Sequence, residues 1–250
     1  IEIFAQEDGY FVVDRERLAK INSLGRMMIA TRHGHTPVKA GDKLCGTRII
    51  PLLIEKDAME AAKQAVDGAP ILQLYPYQRK KIGIVTTGSE VYKGLIQDTF
   101  GPVVMEKLRE YGGEILGQEF SDDDPAMTQE KIQLFLGQGA DMVVCTGGMS
   151  VDPDDKTPLA IRQTGAEVVS YGAPVLPGAM FLLAYLGNKP IVGLPGCVMY
   201  AKRTIFDIVL PALMSDYPIT AEYLAGLGEG GLCLSCPTCI YPNCGFGKGR

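Results

Sequence analysis

The residues most suited to chemistry lie in the stretch Asp141–Thr157, where an apolar run ends in a glycine-rich turn and an acidic loop. The run Met142–Val144 is β-prone, and Thr146-Gly147-Gly148 follows it closely. A buried strand that ends in paired glycines brings several backbone N–H groups together, which suits an anion. The aspartates that follow suit Mg²⁺, because hard cations prefer oxygen ligands. The stretch therefore indicates a site for a phosphorylated ligand.

The same combination of a strand followed by glycine or carboxylate recurs along residues 82–217. Because ligands of open α/β sheets bind beyond the carboxyl ends of the strands, we expect these turns to meet at one edge of a sheet. Glycines that close turns and aspartates that cap helices explain any single turn equally well. The turns are Thr87-Gly88-Ser89-Glu90, Asp122-Asp123-Asp124, Thr146-Gly147-Gly148 with Asp155, Pro177-Gly178 and Leu194-Pro195-Gly196.

The elements that must position these turns alternate between strand and helix five times. This alternation predicts an α/β fold, a doubly wound and mostly parallel sheet with helices on both faces, preceded by a smaller β-rich domain. The predicted strands are Ile82–Val85, Glu114–Phe120, Met142–Cys145, Glu167–Tyr171 and Pro190–Gly193. The predicted helices are Ile96–Tyr111, Pro125–Gln138, Pro158–Gln163, Gly178–Leu186 and Val198–Leu213.

Residues 1–80 predict a small antiparallel sheet or half-barrel with one helix. We expect three parts in the chain: this β-rich region at 1–80, the α/β domain at 81–217, and a cysteine-rich tail at 218–250. The two histidines, His33 and His35, lie in a turn and are interpreted as surface residues in preference to metal ligands. The predicted strands are Tyr10–Val13, Arg26–Thr31, Thr47–Ile54 and Ile71–Tyr75, and the predicted helix is Asp57–Val66.

Composition excludes several classes of function. The chain has a net charge of −5 and one short basic cluster, Arg79-Lys80-Lys81, so nucleic acid is not an expected partner. The most apolar region, Val175–Met199, is broken by prolines and glycines, which argues against a membrane span. Without an export signal, the 7 cysteines favour a reducing, cytoplasmic location. The chain begins at Ile1 instead of methionine, so we expect native sequence to precede it.

Residues 82–212 resemble the molybdopterin-binding domain shared by molybdopterin adenylyltransferases, molybdate insertases, the corresponding gephyrin domains and the competence-damage-inducible proteins. Each motif is weak alone, but their order and spacing over about half the chain make the resemblance specific. The matching motifs are Thr87-Gly88-Ser89-Glu90, Ile96–Thr99 with Asp98, Thr146-Gly147-Gly148 with Ser150, Asp155 with Thr157, Pro177-Gly178, and Gly193-Leu194-Pro195-Gly196 leading to Pro211.

The resemblance implies a protein that binds molybdopterin, a small-molecule pterin ligand, and acts in molybdenum-cofactor biosynthesis or handling. It implies that the glycine loops grip the terminal phosphate and the pterin, and that Glu90 suits the pterin amino groups. Asp122 and Asp155 match two aspartates that support ATP- and Mg²⁺-dependent activation of that phosphate in the adenylyltransferases. The implied enzyme is a nucleotidyltransferase or molybdenumtransferase. A homo-oligomer, dimer or trimer, and a molybdoenzyme partner are also implied.

Departures from the family pattern leave two alternatives open. The chain has Phe100 and Cys197 where the family commonly has asparagine, and Ala179 where the insertases have lysine. These losses of donor groups favour a non-catalytic molybdopterin carrier or sensor. The second alternative is a nucleotide pyrophosphatase-like relative of the competence-damage-inducible proteins, which Asp154-Asp155-Lys156-Thr157 favours. We interpret Cys197 as a small buried side chain in preference to a nucleophile.

The C-terminal tail contains four cysteines in the spacing C-x₂-C-x₂-C-x₄-C: Cys233, Cys236, Cys239 and Cys244. Four close thiols among prolines and glycines suit a tetrathiolate zinc site or an iron–sulfur cluster. The spacing does not separate the two metals. Free thiols, disulfides, or a tail that covers the ligand site or contacts a partner are the alternatives.

Overall fold

The structure is a computed structural model that describes residues 1–149 and 156–249 of the 250-residue chain. The predicted site residues Ser150 and Asp155 lie outside the described residues. The chain divides into two compact units, Ile1–Tyr77 and Gln78–Arg250.

The first unit contains two three-stranded antiparallel sheets, with strand orders β1-β5-β3 and β4-β2-β6. Strand β2 is buried along its whole length, and Phe11 lies fully buried in the core of this unit. The elements are β1 (Glu2–Phe4), β2 (Gly9–Val13), α1 (Arg15–Ser23), β3 (Met27–Thr31), β4 (Thr36–Val38), β5 (Lys43–Ile49), α2 (Lys56–Gln64) and β6 (Leu72–Pro76). The β-rich character predicted for this region is confirmed.

Two features of the first unit differ from the sequence expectations. Helix α1 was not predicted, because its residues are mostly polar and form no clear apolar stripe; Asp14 starts the helix by accepting a hydrogen bond from the Arg17 N–H at 2.9 Å. The predicted strand Thr47–Ile54 was placed too late in the chain, since β5 ends at Ile49.

The second unit is built on a six-stranded, mostly parallel sheet flanked by helices, which confirms the predicted fold class. The strand order is β10-β11-β12-β9-β7-β8, and β12, β9, β7 and β8 pair in parallel. The elements are β7 (Lys81–Thr87), α3 (Ser89–Tyr92), α4 (Phe100–Glu110), β8 (Glu114–Ser121), α5 (Pro125–Gly137), β9 (Met142–Thr146), α6 (Thr157–Gln163), β10 (Glu167–Tyr171), β11 (Leu182–Leu186), β12 (Lys189–Leu194), α7 (Ile205–Met214) and α8 (Ala221–Ala225).

The prediction of a helix over Gly178–Leu186 is wrong. Leu182–Leu186 is strand β11, which pairs antiparallel with β12 across a turn at Gly187-Asn188. A short apolar run cannot by itself distinguish a buried strand from a buried helix. Gly187 has φ +63°, which suits the tight turn that joins the two strands.

The predicted helix Val198–Leu213 is divided in the structure. A 3₁₀ turn covers Gly196–Met199, and α7 begins only at Ile205. Thr204 and Asp207 form a capping box at this point, so the helix start is fixed by side chains that satisfy its first N–H groups. None of the helices in residues 1–149 and 156–249 is long and apolar enough to cross a membrane.

Candidate functional site

A network of threonine hydroxyls joins the carboxyl ends of β7 and β9. Thr146 donates its hydroxyl to Thr86 Oγ1 at 3.1 Å, and Thr87 donates to the Thr146 carbonyl at 3.1 Å. The hydroxyls of Thr87 and Thr157 lie 3.1 Å apart, and Thr157 also donates to the Gly147 carbonyl at 2.9 Å. All four threonines are buried, so water does not compete for these hydrogen bonds. The bonds therefore fix the turn after β9.

The glycines of this turn are required by its geometry. Gly147 has φ +84°, and a Cβ atom there would lie 2.2 Å from the Thr87 carbonyl oxygen. Gly148 has φ +54°, and its Cβ atom would lie 2.7 Å from Thr157 Oγ1. Both residues therefore need the backbone freedom and the missing side chain of glycine. The turn passes over the end of β7 as a bare backbone.

Asp98 organises the start of helix α4. Its carboxylate accepts hydrogen bonds from the Phe100 N–H at 2.9 Å and the Gly101 N–H at 3.1 Å. Gln118 donates its side-chain amide to Asp98 Oδ2 at 2.6 Å and to Thr86 Oγ1 at 2.8 Å. Asp98 is thereby connected to the threonine network, and in this structure its two oxygens serve as a helix cap.

The turn after β7 is held from the end of β8. Gly88 donates its N–H to the Ser121 carbonyl at 3.1 Å, and Ser89 donates its N–H to Asp123 Oδ2 at 3.1 Å. Asp122 is half-buried beside this turn, with Oδ2 at 4.0 Å from the Lys93 ammonium. Glu90 is exposed. This part of the site therefore has carboxylates and one cation within a few residues of the backbone turn.

The neighbouring aspartates have distinct tasks. Asp124 caps helix α5 by accepting a hydrogen bond from the Ala126 N–H at 3.0 Å. Asp123 donates its N–H to Asp122 Oδ1 at 2.8 Å. Because Asp124 satisfies the helix start, the carboxylate of Asp122 is not needed as the cap.

The two remaining turns approach from β12 and from the segment before β11. Gly178 has φ +126° and packs so closely on Ile205 that a Cβ atom would lie 2.4 Å from its Cγ2. Ile205 donates its N–H to the Pro177 carbonyl at 3.1 Å, which joins this turn to the start of α7. After β12, Pro195 is buried and Gly196 is exposed at the start of the 3₁₀ turn.

Comparison with known proteins agrees with this geometry. Residues 83–215 match the family described as "probable molybdopterin binding domain", and they include every described turn of the site. The chain belongs to this family.

Curated relatives share a shorter stretch with this molybdopterin-binding domain. CinA-like proteins of Mycolicibacterium vanbaalenii and Mycobacterium tuberculosis are each 36% identical over 90 residues, which are 36% of this chain and 21% of those proteins. The chain thus matches about a fifth of the length of these relatives.

Solved structures that are similar to this chain include the following two. The molybdopterin biosynthesis enzyme MoaB of Thermus thermophilus is 24% identical, with a TM-score of 0.45, and the match covers 54% of this chain and 91% of MoaB. The protein CinA of Thermoplasma acidophilum is 17% identical, with a TM-score of 0.47, and the match covers 54% of this chain and 98% of CinA.

The three residues that depart from the family pattern are placed differently in this molybdopterin-binding domain. Phe100 is buried at the start of α4, and Ala179 is half-buried with its carbonyl accepting the Ala173 N–H at 2.9 Å. Burial raises the pKa of the Cys197 thiol, so this side chain is neutral at pH 7. A neutral thiol is a weak nucleophile, which agrees with its interpretation as a packing residue.

Two residues of the site were not singled out from the sequence. Thr86 and Gln118 connect the turn after β9 to helix α4. Gln118 lies inside a strand, where sequence gives no sign of its partners. Thr86 adjoins Thr87, which was named, so proximity in sequence was the available signal. Asp123, which was named only as part of the acidic turn, holds the turn after β7.

The four tail cysteines lie in the second unit, have free thiols and line one cavity. In residues 1–149 and 156–249, no group of three or more His, Cys, Asp or Glu side chains is arranged to hold a metal ion. Metal binding by the tail stays a prediction.

Proposed function

We propose that this protein binds molybdopterin at the carboxyl ends of β7, β9 and β12 and acts in molybdenum-cofactor biosynthesis or handling. The observation that carries the proposal is the buried network of Thr86, Thr87, Thr146 and Thr157, which fixes a bare glycine turn at the place where open α/β sheets bind ligands. Membership of the molybdopterin-binding family, over residues 83–215, gives the ligand class.

The residues around the turn suit the two ends of such a ligand. The backbone of Gly147 and Gly148 is accessible without a side chain and offers N–H donors to a phosphate. The Lys93 ammonium adds a positive charge on the β7 side. The exposed Glu90 carboxylate can accept hydrogen bonds from the amino groups of a pterin.

A sharper form of the proposal is ATP- and Mg²⁺-dependent transfer to the bound molybdopterin. Mg²⁺ is commonly held by one or two carboxylates together with phosphates of the substrate. Asp122 fits this role, because it is half-buried at the end of β8 and because Asp124, and not Asp122, caps helix α5. Asp155 is the second proposed carboxylate. A metal ion in this position would neutralise charge on the transferring phosphoryl group.

Ligand binding is the first test of the proposal. Titration of the full chain with molybdopterin, followed by isothermal calorimetry or fluorescence, should give a saturable 1:1 complex. Thr157→Val removes both hydroxyl bonds to the turn at nearly constant volume and should weaken binding at least tenfold. Thr164→Val is the matched control, because the Thr164 hydroxyl bonds locally to the Ile161 carbonyl at 2.6 Å. Absence of binding to the wild-type chain would contradict the proposal.

Turnover is tested separately on the same complex. Incubation with ATP and Mg²⁺ and mass analysis of the pterin should show an adenylylated product, and that product should be lost in Asp122→Asn and Asp155→Asn. Binding without a new product would identify a carrier or sensor, as the residues Phe100, Ala179 and Cys197 favour. Chelation of Mg²⁺ should abolish product formation without releasing the ligand if the two carboxylates act through the metal.

The similarity to CinA-like proteins over 90 residues favours a second candidate function, a nucleotide pyrophosphatase-like hydrolase. Hydrolysis of ADP-ribose by the purified chain, with no binding of molybdopterin, would support it. A cytoplasmic homo-oligomer belongs to either proposal, and light scattering after gel filtration measures the number of chains.

A further inference from the structure

The C-terminal cysteines lie in a loop that closes on itself. Gly247 donates its N–H to the Gly230 carbonyl at 2.9 Å, so the segment between them returns to its starting point. The beginning of the loop is also tied to the segment before β11, since Cys233 donates its N–H to the Leu176 carbonyl at 2.8 Å. We call residues 230–247 the cysteine loop. Loops of more than about 15 residues without secondary structure are uncommon in compact domains, and those that are ordered are often functional.

Burial of apolar side chains in the cysteine loop is confined to its C-terminal end. Phe246 is buried, but Leu234 is 78% exposed and Ile240 is 57% exposed. Residues 230–247, all of which the structure describes, contain no helix, and their one β-bridge is an isolated pair at Leu232. Small segments without an apolar core usually depend on a cross-link, either a disulfide or a metal ion. The cysteines of the loop are free thiols, so the loop is not cross-linked by a disulfide.

One end of the loop is anchored on the second unit. Tyr241 donates its hydroxyl to the Asp207 carbonyl at 2.8 Å, and the Arg203 guanidinium lies 5.1 Å from the centre of its ring. Arg203 is itself paired with the buried Asp207 carboxylate at 2.9 Å, and Phe246 packs edge-on against Tyr241. This end of the loop is therefore anchored before any metal binds.

All four cysteines line one cavity of about 680 Å³. Lys202 and Arg203 also line this cavity, and the Lys202 ammonium donates to the carbonyl of Pro237, which lies between Cys236 and Cys239 in the sequence, at 3.3 Å. Four thiolates around a divalent ion have a net negative charge, and nearby cations stabilise thiolates.

We propose that the cysteine loop binds one metal centre through Cys233, Cys236, Cys239 and Cys244. In the described residues the four thiols are not close enough together to form a metal-binding group, so binding requires the cysteine side chains to come together. Each thiol releases its proton to solvent as its sulfur bonds to the metal. The loop is then cross-linked beside Arg203 and Tyr241, which line the same cavity. This site is independent of the molybdopterin proposal.

Metal content of the full chain tests the site directly. The protein is reduced, stripped with a chelator and incubated with Zn²⁺, or anaerobically with iron and sulfide, and bound metal and acid-labile sulfide are measured after desalting. We expect about one Zn²⁺ per chain, or one cluster with stoichiometric sulfide, as a tetrathiolate site predicts. Amide exchange of residues 230–247 should slow at least tenfold on metal binding, with little change in β7 and β9.

Matched variants identify the ligands. Cys233→Ser and Cys239→Ser, and the variant with all four cysteines changed to serine, should each lose the metal and the slowed exchange. Thr238→Ala, an exposed change within the loop, and Cys197→Ser, a thiol outside it, should keep both. Circular dichroism shows that a variant without metal is still folded. Metal retained by the four-serine variant, or no metal bound by reduced wild-type protein under either condition, would overturn the proposal.

Discussion

At Gly147 a single missing side chain determines the geometry of the candidate site. The residue combines a left-handed backbone, φ +84°, with a contact so close that a Cβ atom would lie 2.2 Å from the Thr87 carbonyl oxygen. The first feature costs about 1–2 kcal/mol in a residue other than glycine. The second requires the turn to move away from β7, which breaks the hydroxyl bonds that Thr87 and Thr157 make to it.

The substitution Gly147→Ala should therefore lower the free energy of unfolding by about 3 kcal/mol or more, as strain and lost hydrogen bonds add. Gly165→Ala is the control, because Gly165 has a similar φ of +86° but no atom within 4 Å of the added Cβ. It should cost only the backbone strain, about 1–2 kcal/mol. Urea unfolding of the two variants measures the difference. Equal costs would show that backbone strain alone matters at Gly147.

Two tyrosines near Asp207 should make the free energy of unfolding depend on pH in the alkaline range. Burial, with the nearby Glu110 and Asp207 carboxylates, raises the pKa of Tyr111, and burial also raises the pKa of Tyr241 well above its usual value. Below pH about 10 these groups are neutral in both states and their favourable contribution is complete. As the pH rises further, the unfolded chain loses protons that the folded chain keeps, so the free energy of unfolding falls.

Tyr241→Phe should make this alkaline loss less steep, by up to about 1.4 kcal/mol per pH unit for a fully shifted tyrosine. At neutral pH the same variant should lose about 1 kcal/mol, because its hydroxyl no longer donates to the Asp207 carbonyl. Urea unfolding at several pH values between about 8 and 11 measures both effects. Parallel curves for the variant and the wild type would contradict the pKa shift.

The sequence predicted part of the site at this scale. The turns at Thr87-Gly88 and Thr146-Gly147 were predictable, because a glycine that follows a β-prone run indicates a turn from the local sequence alone. The contact of Gln118 with Asp98 joins a strand to a helix start 20 residues away, and such a pairing depends on the completed sheet. For that reason the sequence did not distinguish Asp98 as a ligand-binding residue from Asp98 as a helix cap.

At the scale of the elements, the packing of α5 on the sheet depends on the positions of glycines in the strands beneath it. Phe135 of α5 lies directly over Gly83 of β7, where a Cβ atom would be 2.2 Å from its ring. Gly117 of β8 lies farther from the same ring, with a Cβ contact of 3.6 Å. The helix can therefore approach the sheet closely at β7, which is the central strand of the site.

Gly83→Ala should force α5 away from β7 and lower the free energy of unfolding by about 1–3 kcal/mol, as overpacked cores do. Gly117→Ala adds the same methyl group to the neighbouring strand at an ordinary contact distance, and it should be neutral within about 0.5 kcal/mol. Denaturant unfolding compares the two. The double variant Gly83→Ala, Phe135→Leu should recover part of the loss if the ring causes the clash.

Element types were predictable where periodicity and length agree, as for α5 and β9. Strand β11 was not, because its residues are apolar without a clear period and its identity comes from pairing with β12. Helix α1 was not predicted for the opposite reason, since its polar residues form no apolar stripe and its start depends on the Asp14 cap. Both elements therefore depend on contacts that the local apolar pattern does not show.

At the scale of the whole molecule, each of the two units has a cluster of buried apolar residues of its own. Phe11 is fully buried in a cluster whose members all belong to residues 1–77. Phe135 is 2% exposed in a cluster whose members all belong to residues 78–250. The molybdopterin-binding family matches only within the second unit. Stability of the ligand site should therefore follow the second core.

Phe11→Ala and Phe135→Ala test this separation as a matched pair. Each removes one buried aromatic ring and should cost about 3–5 kcal/mol in the unit that contains it. Hydrogen exchange with mass spectrometry should show faster exchange in β2 and β6 for Phe11→Ala, and in β7 and β9 for Phe135→Ala. Molybdopterin binding should weaken only in Phe135→Ala, because the glycine turns end strands of that core. Faster exchange across both units in either variant would show that the two cores unfold together.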